Sequence, residues 1–298
     1  MGGRFSTTNY SELAGHLGEL VSWLIRLDVP LQNTRISRYI DRVNVLADQY
    51  RRGTLQEYLA PQEGTRLSSD DIMHLLYETG ELETIRRNLD VDLIRSLKPD
   101  LPKIVTGPDY AAYERRDSVF PRNLAFELIV ASQCAASGVP PCPFPPSDFL
   151  FHFGERKIIV ECKRPQSEDR VVPLVKEAFK QIRRRRRAAS NLRLRGLVAV
   201  ELSKAINPSM ERLTFPDNDA IALGMSQMLD ALVSRFTPGW ATENYGGVIG
   251  VLMRLSLMAV NIGDRRPVYC QQYAYCNLPG LRASDRALSV EIGKAFQM

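Results

Sequence analysis

The sequence predicts an α/β protein, a mixed central sheet flanked by helices and preceded by an all-helical N-terminal region. Three observations predict it. Up to about residue 105, apolar side chains recur at helical spacing. Proline and glycine then gather in "RSLKPDLPKIVTGPDY", residues 95–110, and mark a boundary. Beyond it, helix- and strand-like segments alternate, as in a sheet covered on both faces. The expected domains are 1–105, helical, and 106–298, built on the sheet.

The elements follow in order. Leu13, Leu17, Leu20, Val21 and Leu24 outline a first helix, with Asn9 and Glu12 placed as a capping box. A second runs from Ile36 to Tyr50 and ends near Gly53. Ser68 opens a third, with Leu75, Leu76 and Leu82 on one side. Pro121 to Ser137 reads as a helix broken by "GVPPCPFPP". Strands at 148–153 and 157–163 come next, then a helix from about Pro173 to Ser190 and a strand at 196–203. A helix from Asp217 to Phe236 precedes strands near 247–260 and 267–275.

Composition bounds the function. At 298 residues, 44% hydrophobic and 24% charged, the chain can bury a sizeable core. The apolar run Val248–Val260 is broken by Arg254 and is shorter than the ~20 residues a bilayer span needs, so no membrane partner is expected. The first 30 residues read as an amphipathic helix rather than a secretory leader. Five cysteines without a CxxC pair point to reduced thiols and a cytoplasmic setting. Residues 156–195 hold fourteen Lys/Arg against four Asp/Glu, a local charge of +10 on a chain whose net charge is +5. Such a patch fits a polyanion.

The stretch "SDFLFHFGERKIIVECKRP" carries the chemistry. Gly154-Glu155 suits a two-residue turn with glycine first. Phe153 then pairs with Arg156, and Asp148 falls opposite Glu161. Alternation puts Lys163 on that face as well. Phe149, Phe151, Phe153, Ile158, Val160 and Cys162 share the other, core-facing side. Opposed carboxylates repel, so they form either an ion cluster at a solvent edge or a site for a hard divalent cation. Glu127 is the only charged residue between Asn123 and Ser147. It is either a third acidic group at that site or a surface glutamate.

Taken in order, "FE…PSD…ECK" resembles the PD-(D/E)xK nuclease superfamily, with its restriction-endonuclease-like fold, over roughly residues 118–205. "PSD" stands here where the family has a literal "PD". The resemblance implies that Asp148 and Glu161 bind Mg²⁺ (with Mn²⁺ able to substitute), helped by the Cys162 backbone carbonyl. It also implies that Lys163 assists the attacking water and that Glu127 orients or holds a second metal. Phosphodiester hydrolysis of nucleic acid, DNA foremost, is the implied reaction, and restriction or defence its natural context. The alternative is a nuclease-like domain that binds nucleic acid or protein without cutting.

The helix after the ExK strand adds Lys176, Lys180, Arg183, Arg184 and Arg187 along one side, suited to phosphate contacts. Gln181 resembles the glutamine that exonuclease-like members carry there, an accessory to the site. The N-terminal region is left with three candidate roles: target recognition, partner binding or homodimer formation.

Overall fold

The computed structural model of the chain describes residues 4–6, 10–54, 57, 69–115, 117–189, 194–241, 245–263 and 266–297. Among them, eight strands make one mixed sheet: β1 Arg4–Ser6, β2 Pro141–Cys142, β3 Phe149–Phe153, β4 Arg156–Lys163, β5 Leu194–Glu201, β6 Leu213–Phe215, β7 Val248–Asn261 and β8 Arg266–Asn277. Their spatial order is β1-β8-β7-β5-β4-β3-β2, with β6 paired to β7 off this path. The pairs β4–β5, β5–β7 and β6–β7 are parallel, and the others are antiparallel.

Helices cover both faces. They are α1 Tyr10–Arg26, α2 Arg35–Arg52, α3 Ser69–Asn88, α4 Val91–Leu97, α5 Phe120–Ala136, α6 Val171–Ala188, α7 Ser203–Ile206, α8 Asn218–Phe236 and α9 Ala283–Gln297. One apolar layer joins α1–α5 and the end of α9 to Phe149, Phe151, Ile158 and Val160. The other packs α6 and α8 against Leu150, Ile159, Val198 and Val251. Sheets buried on both faces need near-continuous apolar strands, and every residue of β5 is buried. Gly196 lets α6 approach closely: a Cβ there would lie 2.4 Å from Ile182 Cγ2.

The N-terminal region is not all helical. Arg4–Ser6 forms the antiparallel edge strand β1 on β8. A three-residue strand is too short to show a period in sequence, and its partner lies more than 260 residues away. The capping box at Asn9 and the helix start at Ser68 lie outside the described residues. The second helix ends as expected, with Gly53 left-handed at φ 74° and capping Gln49 and Tyr50. Of the described helices, none is long and apolar enough to cross a membrane. Arg254, which interrupts the apolar run, is buried in β7. Its guanidinium reaches Glu81 (2.6 Å), Glu201, the Tyr269 hydroxyl (2.7 Å) and Gln271 (3.1 Å). Tyr269 and Tyr275 are likewise packing residues, with Tyr275 hydrogen-bonded to Ser289. All five cysteines are free.

Candidate active site

The hairpin register follows the alternation of its side chains. Phe153 pairs with Arg156, Phe151 with Ile158 and Phe149 with Val160. Gly154 takes φ 56°, and Glu155 stays out of the left-handed region, as a type II′ turn requires.

One detail departs from the expected opposition of Asp148 and Glu161. The prolines upstream end the strand, so β3 starts at Phe149 and Asp148 lies just outside it. The Asp148 carboxylate replaces a ladder partner, accepting the Cys162 N–H at 2.6 Å. Glu161 is 3% exposed and faces Arg185 of α6 in an ion pair. Arg185 also feels Asp148, which opposes the lowering of its pKa by burial. A cation of the chain itself thus pairs with Glu161 and lies within the field of Asp148.

Lys163, at the end of β4, donates to Gln181 Oε1 at 2.9 Å and lies 3.7 Å from Glu177. Gln181 Nε2 in turn binds Glu177 at 3.0 Å. Glu127, on α5, is ion-paired with Lys98. Burial first, then the neighbouring Asp148, push its carboxyl up to about 7, against the pull of Lys98 and Lys163. The ion pair favours the charged form and burial the neutral one, and burial prevails because the carboxyl is only 20% exposed. Burial likewise holds the Cys162 thiol well above its ordinary range, with Asp148 and Glu127 adding to it, so it is no nucleophile.

Of the residues singled out in sequence, Asp148 is bonded to the Cys162 N–H, Glu127 lies in the field of Asp148 and Lys163, and Lys163 and Glu161 both meet α6, at Gln181 and Arg185. Among the described residues, no three His, Cys, Asp or Glu side chains form a ready metal-holding group. The donor set nonetheless suits a hard cation: carboxylate oxygens of Asp148 and Glu161 and the Cys162 carbonyl, with positive charge already drawn to them in Arg185. Lys98 and Arg185 escaped the sequence reading. Arg185 stands one helical turn from Gln181, a spacing that could have flagged it. Lys98 had no signal, being 29 residues from Glu127 in a proline-bearing segment.

The basic stripe divides. Lys180, Arg184 and Arg187 are exposed, while Lys176 and Arg183 are half-buried. Arg186 is spent on the Leu194 and Gly246 carbonyls.

The raised pKa of Glu127 has a measurable consequence. Its folded value lies above the ordinary 4.5, so the fold prefers the protonated form. The stability this adds is complete below about pH 4.5 and is lost as pH rises through about 7. Melting temperatures taken across that range should fall less with pH in Glu127→Gln than in the parent. Parallel curves would show that Glu127 titrates normally.

No protein-family model matches the chain, and no curated protein matches it.

Proposed function

We propose that the protein is a metal-dependent nuclease of the PD-(D/E)xK type, hydrolysing phosphodiester bonds of nucleic acid, DNA foremost, in a reducing, cytoplasmic setting. A restriction or defence role is the context this reading suggests. The observation that carries it is the convergence of Asp148, Glu127 and Lys163 at the Cys162 end of the hairpin, with Gln181 holding the lysine. The order α5–β3–β4–α6–β5 supports a restriction-endonuclease-like core.

Mg²⁺ held by Asp148, Glu161 and the Cys162 carbonyl, with Mn²⁺ able to replace it, would polarise a phosphoryl oxygen and acidify a bound water. The chain's own residues supply the rest. Lys163 Nζ stabilises negative charge gathering on the phosphoryl oxygens. Gln181 Oε1 fixes the direction of that ammonium. Glu127, titrating at about 7, is suited to accept a proton from the attacking water near neutral pH.

Linear, circular and single-stranded DNA and RNA, incubated with Mg²⁺, Mn²⁺ or EDTA, test the reading. Cleavage in either metal and none in EDTA is expected. One observation favours a second reading, a binding domain without catalysis: Arg185 and Lys98 already neutralise Glu161 and Glu127. Retained binding with no cleavage under any metal would establish it.

The stripe on α6 then serves affinity. Replacing Arg183, Arg184 and Arg187 with alanine should weaken DNA binding and reduce the salt slope by about 2–3, at about 0.9 per phosphate contact. Binding titrations at several salt concentrations check this, and an unchanged slope would remove the stripe from the interface.

A further inference from the structure

Next to the candidate site lies a solvent-open cleft of about 540 Å³, lined in part by Glu114, Arg164, Arg170 and Lys204. It sits at the C-terminal ends of the parallel strands β4 and β5, where open α/β sheets bind ligands. Arg164 follows Lys163 directly, so the cleft begins one residue beyond the proposed catalytic lysine.

Its charges are unequal. Arg164 is neutralised by Glu114, both side chains being almost fully buried. Lys204 Nζ is held by the carbonyls of Ala112 (3.1 Å) and Pro208 (2.6 Å), which bring no compensating charge. Arg170 is exposed and has no ion-pair partner among the described residues. Two positive charges therefore remain uncompensated, an exposed one on Arg170 and a second on Lys204, which is only 6% exposed.

A second feature shares the same backbone. Tyr113, between Ala112 and Glu114, is 63% exposed. Its ring centroid lies 5.6 Å from that of Tyr110 and 6.4 Å from that of His74, and those two rings stack at 4.8 Å. Residues 112–114 thus supply an acceptor for Lys204, an open aromatic face and the carboxylate that fixes Arg164.

We propose that the cleft and Tyr113 bind an unpaired strand of nucleic acid, a phosphate on Arg170 within the field of Lys204 and a base on the tyrosine ring. A basic cleft alone would take any phosphate. The aromatic face decides, because unpaired bases offer their faces for stacking and bases within a duplex do not. The inference rests on the proposed nuclease function for its chemistry, while its test reads binding alone.

The experiment is fluorescence anisotropy on the full chain in EDTA, with a labelled single strand of about 12 nucleotides, the matching duplex, and a mononucleotide competitor. The single strand should bind more tightly than the duplex. Tyr113→Ala should weaken that binding about tenfold while Tyr113→Phe preserves it. Arg170→Glu should weaken it too and lower the salt slope by about 0.7 or more. Variants as tight as the parent, equal losses on duplex and single strand, or a mononucleotide competing as well as the strand would each overturn the inference. Such a result with cleavage intact sinks this inference alone. A parent that neither binds nor cuts any nucleic acid sinks the proposed function with it.

Discussion

Lys163→Ala is expected to reduce cleavage by at least about 10²–10³-fold, the range seen when a preorganised charge-stabilising group is removed. The lysine ends β4, and its side-chain contacts are to Gln181 and Glu177 of α6. Neither contact belongs to the apolar layers, so circular dichroism and melting temperature should barely change. Gln181→Ala should act in the same direction but more weakly, because it only directs the ammonium. Single-turnover rates in Mg²⁺ separate the two. Full Mg²⁺-dependent cleavage by Lys163→Ala would end its catalytic assignment, whatever the carboxylates do.

The second large effect concerns stability. Arg254→Ala should cost about 3–5 kcal/mol, because it strands Glu201 and Glu81 without the counter-charge they share. That is a large part of the roughly 5–15 kcal/mol that holds a typical domain together. Urea denaturation followed by fluorescence would measure it. Removing the charges together, as Arg254→Met with Glu81→Gln and Glu201→Gln, should recover much of the loss, since a buried ionic group is costliest when half of it remains. A single variant as stable as the parent would mean that water reaches the cluster.

The hairpin was the most legible part of the site. Its alternation allows one register, and a slip would bury the charges and expose the phenylalanines. Alternation put Lys163 on the face of Glu161, while its contact with Gln181 of α6 lay beyond what the hairpin pattern reports. The partners of the carboxylates were less legible. Five consecutive arginines look alike in sequence, yet Arg185 faces Glu161, Arg186 holds backbone carbonyls, and Arg184 and Arg187 face solvent. Helical rotation distributes them, but only the position of the sheet decides which charge is buried. Arg254 read as a break in an apolar run. Its partners come from α3 and β5, 173 and 53 residues away, and no local pattern reports contacts of that length. β1 and α9 were missed for related reasons: one is too short to carry a period, and the other has a modest apolar stripe of which Ile292 and Phe296 reach the core.

The pairing of β1 with β8 has a consequence for how the chain reaches this state. Arg4 meets Gln271 and Ser6 meets Tyr269, so β1 finds its neighbour only after more than 260 further residues have been synthesised. The same holds for Glu81, whose partner Arg254 arrives with β7. Contacts of such separation close slowly, because a long loop must be ordered before they form. Until β3 and β4 have emerged, the apolar faces of α1–α5 that pack on Phe149, Phe151, Ile158 and Val160 lack their cover. As a three-residue strand at the sheet's edge, β1 is a loose hem, whose amide hydrogens should exchange before those of β7.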